Sequence, residues 1–215
     1  GAVSGAVSVT LTADDDVLAD AGVTATDGVL TITADADDND TGAVTATAAL
    51  TGDEVQISGQ AVTVAAVTAD DGNASVTADG ALTTTGVVAA TADVVLSGAT
   101  ITTGGNVTAD SDADNDGDLL MSATGAIDAT VGALSGENVT VQGDSVIIDT
   151  ATAANDLTVE ALTGDVQVIT AATATAGSVV MSAGTDVDID GAVSGAVSVT
   201  LTADDDVLAD AGVTA

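Results

Sequence analysis

The sequence predicts an all-β protein folded as a parallel β-helix, or β-solenoid. Three observations support this prediction. Short runs alternate apolar residues with Thr or Ser, and Gly-, Asp- and Asn-rich turns separate them. The chain has no Pro, Cys, Phe, Tyr, Trp, His, Lys or Arg, which leaves only small side chains for the interior. Finally, the sequence repeats itself, which favours an elongated architecture in which each unit contacts its neighbours.

The repeat is a letter-for-letter identity between residues 1–25 and residues 191–215. It predicts that residues 1–190 are one complete tandem-repeat unit and that residues 191–215 begin the next. We therefore expect the ends of the chain to be covered by further units, through covalent continuation or through end-to-end stacking.

Period-two alternation identifies the strands, since successive side chains of a strand point to opposite faces. The β-branched residues Val, Ile and Thr are abundant, and no segment has the pattern of a helix. Clear strand runs lie at residues 7–12, 29–33, 55–58, 139–141, 166–168 and 187–190. Turn signals lie at residues 26–28, 51–53, 71–73, 104–106, 143–144 and 164–165.

The spacing of these strand and turn phrases gives the length of a coil. Most phrases recur about every 21 residues. The gap from position 94 to position 138 is about twice as long and is interpreted as two coils with an acidic insertion. Nine coils of this length then fill the unit, and ten shorter coils remain open. Nine coils stacked at strand spacing rise about 43 Å.

The core must be narrow. Hydrophobic residues make up 46% of the chain, but most of them are Ala and Val, and no aromatic ring is available. Backbone layers therefore have to lie close together, with short aliphatic side chains between them. A thin solenoid meets this requirement better than a barrel or a helical bundle.

The net charge of −34 defines which partners the chain can have. Nucleic acid and anionic membranes are excluded because no basic side chain is present to neutralise a phosphate. No apolar run reaches the length of a bilayer span, so membrane insertion is not expected. Thirty carboxylates per unit over about 43 Å give about 0.7 charges per Å, close to duplex DNA. We expect cations as partners, and stability that rises with salt and especially with Ca²⁺.

The sharpest local feature is the acidic segment at residues 110–118, whose carboxylates are Asp110, Asp112, Asp114, Asp116 and Asp118. Asp112, Asp114, Asp116 and Gly117 match the start of a calcium-binding loop, with carboxylates at its first, third and fifth positions and then Gly. The bidentate Glu expected at the twelfth position is missing, because residue 123 is Ala. Ordered Ca²⁺ and a solvated acidic loop both remain open. Residues 35–40 form a weaker acidic cluster, whereas residues 14–16 and 70–71 are interpreted as turns.

Two further patterns each allow a functional and a structural interpretation. Thr-x-Thr pairs such as Thr83/Thr85 and Thr100/Thr102 would suit an ice-binding face, although Thr is also the usual solvent-side residue of strands. Asn39, Asn73, Asn106 and Asn138 lie in Asn-x-Ser/Thr sequons, which indicates either glycosylation or the turn-to-strand pattern of a β-helix. We predict no enzymatic activity. The chain has no His or Cys, no Lys or Arg to neutralise an acidic substrate, and no aromatic side chain to hold a sugar ring, so Asp and Glu alone leave only acid/base or metal chemistry.

Residues 94–108 (VVLSGATITTGGNVT) resemble the repeats of filamentous-haemagglutinin-type adhesins, as do residues 5–16 and 177–191. The resemblance implies a right-handed β-helix in a large, secreted bacterial surface protein. From it and from the composition we predict the structural shaft of an extracellular fibre or filament. The alternative is a calcium-dependent adhesin arm at the cell surface, and ice binding is a minor alternative.

Overall fold

A computed structural model describes residues 1–37, 39, 41–114 and 116–215. All regular structure among these residues is β-strand, which confirms the predicted all-β class. The strands of the first half are β1 (Val3–Gly5), β2 (Val9–Thr12), β3 (Val17–Ala19), β4 (Val23–Ala25), β5 (Val29–Thr33), β6 (Ala43–Gly52), β7 (Glu54–Gly59), β8 (Ala61–Ala69), β9 (Ala74–Ala78), β10 (Ala81–Thr84), β11 (Val88–Ala90), β12 (Val94–Gly98) and β13 (Thr100–Gly104). Those of the second half are β14 (Val107–Thr108), β15 (Leu119–Ala123), β16 (Ala126–Gly136), β17 (Val139–Gly143), β18 (Ser145–Ala153), β19 (Leu157–Ala161), β20 (Val166–Ala174), β21 (Ser178–Ala183), β22 (Val187–Ile189), β23 (Ala192–Gly195), β24 (Ser198–Ala203), β25 (Val207–Ala209) and β26 (Val213–Thr214).

Each coil of the solenoid has three faces. The first face is a ten-stranded parallel sheet in the order β2-β5-β7-β9-β12-β15-β17-β19-β21-β24. The second and third faces share a sixteen-stranded sheet. β3, β10, β13, β22 and β25 belong to the second face, and β1, β4, β11, β14, β23 and β26 to the third. The long strands β6, β8, β16, β18 and β20 contribute to both, and register shifts within their pairings mark the bend between the two faces.

Three corners connect the faces. The first corner links the first face to the second, the second corner links the second face to the third, and the third corner leads from the third face into the next coil. All strand pairs among the described residues are parallel, so equivalent positions of successive coils stack directly above one another.

The first face provides the coil count. Its aligned residues begin with Val9 and end with Val199, and the full series is Val9, Leu30, Val55, Ala74, Val94, Leu119, Val139, Leu157, Val179 and Val199. Val9 and Val199 are the same position of the two sequence copies, and nine coils separate them. Of the two coil numbers that the sequence left open, the structure has nine per repeat.

Two of these coils are longer than the rest. One runs from Leu30 to its aligned residue Val55, and the other from Val94 to its aligned residue Leu119. The shortest coil runs from Val139 to Leu157. The long coils accommodate the two acidic segments, and the second long coil explains the wide gap noted in the sequence.

The core is the narrow space enclosed by the three faces. Along each strand buried positions alternate with more exposed ones, for example in β12 and β17, as period-two packing requires. The buried residues are almost all Val, Leu, Ile, Ala and Met, and they form one continuous cluster along the rod. Such stacked aliphatic ranks supply the apolar burial that stabilises each coil on its neighbours.

Two buried positions are polar. Thr84 and Thr103 are paired residues of β10 and β13 on the second face, and both point inward. Neither hydroxyl has a hydrogen-bond partner within the described part of the chain. Elsewhere in this rank the inward residue is Ala, Val or Ile, for instance Val64 and Ala129.

The repeated segment continues the stack. Val199 of β24 aligns with Val179 of β21, and Val193 of β23 aligns with Ala172 of β20. The backbone therefore passes from residue 190 to residue 191 within one coil, at a second corner between β22 and β23, and the stack continues across the start of the repeat. Across the described ranges, no helix is long and apolar enough to span a membrane.

Candidate functional site

Two acidic loops leave the rod, one in each long coil. Acidic loop one is residues 35–42 at the first corner, and acidic loop two is residues 110–117 at the third corner. Both begin with Asp, end with Gly and have the same length. The opening residues, Asp35 and Asp110, both have left-handed backbone conformations, with φ of 59° and 56°.

The backbone contacts of the two loops are equivalent. The Asp35 N–H donates to the Asp15 carbonyl and the Ala36 N–H to the Ala13 carbonyl. In acidic loop two, the Asp110 N–H donates to the Ala92 carbonyl and the Ser111 N–H to the Ala90 carbonyl. In each case two successive N–H groups bind carbonyls of alternate residues on the coil before.

The closing glycines are equivalent as well. A Cβ on Gly42 would lie 2.6 Å from the Asp35 nitrogen, and one on Gly117 would lie 2.3 Å from the Asp110 nitrogen. Both distances are below van der Waals contact, so any other residue would push the loop away from its first residue. Glycine at these two positions allows the loop to close on its own base.

Acidic loop two brings three of the predicted ligands together. One carboxylate oxygen from each of Asp110, Asp112 and Asp114 lies within 4.8 Å of the others. The pKa of Asp114 is raised, first by its side-chain hydrogen bond with Asp116, and further by desolvation and by the charges of Asp116 and Asp110. Asp116 therefore adjoins this cluster. Carboxylate oxygens at this density are the ligand type that Ca²⁺ prefers.

Asp118, the fifth predicted ligand, has a different position. Its Oδ1 accepts the Asn138 backbone N–H at 3.1 Å and the Asn138 Nδ2 at 2.9 Å. Its own backbone N–H donates to Asp93 Oδ1 at 2.9 Å. The structure thus places Asp118 in the contacts between coils, outside the cluster of Asp110, Asp112 and Asp114. Asn115, within the calcium-like segment, lies outside the described residues.

Acidic loop one was interpreted from sequence as the weaker cluster. Asn39 organises its described part: its backbone N–H donates to Asp35 Oδ1, and its Nδ2 donates to Asp37 Oδ2, both at 2.9 Å. Asp38 and Asp40 lie outside the described residues. The equivalence of the two loops was missed, although both segments contain Asp-x-Asp near the start, Asn-Asp before the end and a final Gly.

An Asn/Asp ladder runs along the third corner. Each member directly precedes the first buried residue of a first-face strand, and its Oδ1 accepts the backbone N–H of the equivalent residue in the next coil. The donor–acceptor pairs are Asp93 to Asn73 (3.0 Å), Asp118 to Asp93 (2.9 Å), Asn138 to Asp118 (3.1 Å), Asp156 to Asn138 (3.2 Å) and Ser178 to Asp156 (2.8 Å). These carboxylates and amides thereby satisfy backbone donors at a turn.

A shorter ladder of carboxylates lies at the first corner. The Asp186 N–H donates to Asp165 Oδ1 at 3.1 Å and the Asp206 N–H to Asp186 Oδ1 at 2.9 Å. The Thr185 hydroxyl also donates to Asp165. The hydrogen bonds from the Thr185 hydroxyl and the Asp186 N–H, with the hydroxyl first, lower the pKa of Asp165. The sequence pattern placed Asp165 only in a turn and gave no sign of its hydrogen bonds with the next coil.

Beside this ladder, the second face has an open groove of about 260 Å³. Asp165, Gln167, Asp186 and Asp188 line it, together with the apolar side chains of Ile147 and Leu208. The pKa of Asp188 is raised, first by desolvation and then by repulsion from Asp190, Asp210, Asp165 and Asp186. The groove is thus a second place where negative charge is concentrated.

The hydroxyl residues form ranks of one residue per coil. On the second face Thr45, Thr63, Thr83 and Thr102 are aligned and point outward. Thr100 belongs to a neighbouring rank, whose other members include Ala43, Ala61 and Ala81. The Thr-x-Thr pairs of the sequence therefore do not form two parallel ranks of Thr.

The sequon asparagines have structural roles. Asn73 and Asn138 belong to the third-corner ladder, and Asn106 Oδ1 accepts the Ala133 backbone N–H at 3.0 Å. The Asn39 amide bonds within acidic loop one. Each sequon asparagine thus makes hydrogen bonds that explain its presence without modification.

Comparisons with models of known protein families, with curated proteins and with solved structures give no match to this chain. The resemblance to filamentous-haemagglutinin-type adhesins is supported only at the level of the fold, because the structure is a parallel β-solenoid. The class that the structure defines is a β-solenoid rod with charged corners.

Proposed function

We propose that this chain is a length of the structural shaft of an extracellular fibre built from tandem β-solenoid units. One observation carries the proposal: the last coil consists of the same residues as the first, and it stacks on the coil before it with the same parallel pairing as every other coil. A rod whose sequence and stacking both recur can be extended without limit, because each coil contacts only the coils beside it.

The chemistry of the chain supports a mechanical role. The only ionisable side chains are 34 Asp and Glu residues, and most line the corners or form the ladders between coils. In this proposal the chain performs no catalysis, and its partners are further copies of the unit and cations. A location outside the cell, at the cell surface, follows from the same proposal.

Ca²⁺ is the cation that we propose for acidic loop two, with Asp110, Asp112 and Asp114 as its carboxylate ligands and Asp116 beside them. Bound Ca²⁺ would offset the mutual repulsion of these groups in a protein that has no basic side chain of its own. In the shaft, the ion would serve stability rather than recognition.

The test of the shaft is the axial length of tandem chains of one, two and three repeat units, measured by small-angle scattering and electron microscopy. We expect each added unit to lengthen the particle by about 43 Å, from nine coils at strand spacing, with no flexible joint between units. Units that bend freely relative to one another, or that fail to fold in tandem, would contradict the proposal.

A calcium-dependent adhesin arm is the second candidate, favoured by the two equivalent loops that leave the rod at different corners. Binding of the chain to cell surfaces with Ca²⁺ and with chelator distinguishes the two functions. An adhesin arm loses binding when acidic loops one and two are replaced by short turns, whereas a shaft shows no calcium-dependent binding to lose. A thermal-hysteresis assay on the same samples tests the minor ice-binding alternative.

A further inference from the structure

One side of the rod carries no charge over four consecutive coils. We define the neutral face as the outward side of residues 43–52, 61–69, 81–90 and 100–108, which together form the second face, second corner and third face of these coils. None of these residues is acidic. Their outward-pointing side chains are those of Thr, Ala, Val and Asn, and they form aligned ranks.

The carboxylates of the same coils lie on the opposite side of the rod, mainly at the two corners that border the first face. Residues 43 to 108 include six carboxylates, and all of them lie at the first or third corner or at the start of the first face: Asp53, Glu54, Asp70, Asp71, Asp79 and Asp93. Beyond the neutral face, carboxylates return to the second face and second corner, for example Asp128, Asp149 and Asp188. The first-face strands β9, β12, β15 and β17 have no carboxylate either, but the acidic first and third corners border that face on both sides. The neutral face is therefore the wider uncharged surface of these coils.

We propose that the neutral face is the contact through which two copies of this chain pack side by side. A chain with net charge −34 and no basic side chain repels its own copies over most of its surface. The neutral face is a broad area where two copies can approach without bringing carboxylates together. It also presents an apolar side chain, Val87, which is 47% exposed near the middle of the patch.

A two-fold arrangement suits this contact. In an isologous pair the same patch serves both copies, so the acidic sides point outward in opposite directions and lie as far apart as the rods allow. Val87 then lies near the two-fold axis and close to its counterpart. This geometry differs from end-to-end continuation, in which Val87 of one copy is far from Val87 of the next.

The size of the patch implies that one pair binds weakly. Four coils rise about 19 Å, and about seven extended residues span about 23 Å, so each copy contributes about 440 Å². A stable complex commonly needs about 800 Å² per partner. In a tandem array, however, the patch recurs once in every repeat unit, so aligned arrays would combine several weak contacts into a strong one.

Cross-linking tests the proposal directly. The chain has no Cys, so Val87→Cys introduces a single thiol on the neutral face. Leu120→Cys is the matched control, an apolar residue of similar exposure (39% against 47%) on the first face. We expect a bifunctional thiol reagent to link Val87→Cys copies about tenfold faster than Leu120→Cys copies, with the excess growing as salt screens the acidic sides. Equal rates at all salt concentrations would overturn the proposal.

A second pair of variants separates the neutral face from net charge. In the Val87→Cys background, Thr63→Asp adds one carboxylate to the neutral face, whereas Thr77→Asp adds one to the first face; both positions are exposed. We expect Thr63→Asp to lower the cross-linking rate several-fold and Thr77→Asp to leave it nearly unchanged. Equal losses in the two variants would contradict a specific contact. The proposal does not depend on the shaft function, because a chain that pairs in this way need not form a fibre.

Discussion

Residues 1–25 and residues 191–215 are the same sequence in two positions of one rod. Their strand pairing is the same: Val3 pairs with Val23 in the first copy, and Val193 with Val213 in the second. The burial of equivalent residues differs between the two copies. Val23 is 1% exposed and its counterpart Val213 is 40% exposed, whereas Val3 is 40% exposed and Val193 is fully buried.

The difference shows which property belongs to the sequence and which to the neighbours. The local sequence specifies the strand, its inward side and its pairing register in both copies. A neighbouring coil on each side is what removes an inward Val from water. In a solenoid, stability is thus a sum of contacts between adjacent coils, and equal residues contribute unequally according to their place in the stack.

The largest effect is expected from a charge placed in the two copies of one valine. Val193→Asp buries an unpaired carboxylate between two coils and should lower the free energy of unfolding by about 4 kcal/mol or more. Val3→Asp makes the same substitution in the same local sequence at an exposed end, and should cost less than about 1 kcal/mol. Urea denaturation of both variants measures the difference. Equal losses would mean that neighbours do not determine burial.

Calcium should affect the middle of the rod more than the repeated segments. At saturation, about one hundred times its dissociation constant, Ca²⁺ should stabilise the chain by about 2.7 kcal/mol, and chelator should reverse this. The combined variant Asp110→Asn, Asp112→Asn and Asp114→Asn should lose the increase in Tm. The matched variant Asp204→Asn, Asp205→Asn and Asp206→Asn should keep it. A Tm at low salt that is the same with Ca²⁺ and with chelator would remove the calcium proposal.

Removing the two buried hydroxyls of the core should raise the stability of the fold. Replacing Thr84 and Thr103 by Val keeps their shape and removes two buried hydroxyls that lack partners among the described residues. Because each unsatisfied buried group costs about 1–3 kcal/mol, the double variant should be more stable by about 2 kcal/mol. Thr83→Val with Thr102→Val, on the outward side of the same strands, is the control and should change stability little. A destabilised double variant would show that these hydroxyls do have partners.

The aspartate that directly precedes the second face should also contribute differently to stability in the two copies. Asp16 Oδ1 accepts the Ala43 N–H at 2.9 Å from the following coil. Asp206, its counterpart, lies in the last coil, which has no such neighbour in this chain. Asp16→Ala should therefore lower the free energy of unfolding by about 1 kcal/mol, and Asp206→Ala by less. Guanidinium unfolding curves of the two variants would show which loss is larger. A larger loss for Asp206→Ala would contradict a stabilising role for the hydrogen bond between Asp16 and Ala43.

The smallest effect is the dependence of stability on pH. Because the pKa of Asp188 is raised in the folded chain, the native state binds its proton more tightly, and stability rises as pH falls through that pKa. The pKa of Asp165 is lowered, so its contribution is present above the unfolded pKa and is lost as pH falls through the folded pKa. Asp188→Asn should stabilise the chain at neutral pH and flatten the gain on acidification. Asp165→Asn should destabilise the chain at neutral pH and remove the loss of stability on acidification. Tm measured across the acidic range checks both variants.

Much of the fold could be predicted from local patterns. Alternation of Val, Leu and Ile with Thr and Ser identified the strands, and their spacing gave a coil of about 21 residues. The choice between nine and ten coils was left open because the turns vary in length, most of all between the short coil that begins at Val139 and the long coils that begin at Leu30 and Val94. Only the coil-by-coil alignment from Val9 to Val199 across the first face decides it.

The candidate site was predicted less completely. Asp110, Asp112 and Asp114 were named together and do lie together, because three alternate residues of one tight loop cannot be far apart. Asp118 was named with them, but it bonds to Asn138 in the next coil. No local pattern distinguishes a carboxylate that faces a loop from one that bonds to a neighbouring coil.

The sequence by itself determined the strand class, the narrow aliphatic core, the repeat and the absence of positive charge. Each of these follows from residue type, from period-two alternation or from the identity of the two end segments. The tertiary structure decided which identical valines are buried, which aspartates join the ladders and which side of the rod is neutral. These properties depend on what lies about 4.8 Å above and below each residue, roughly twenty positions away along the chain.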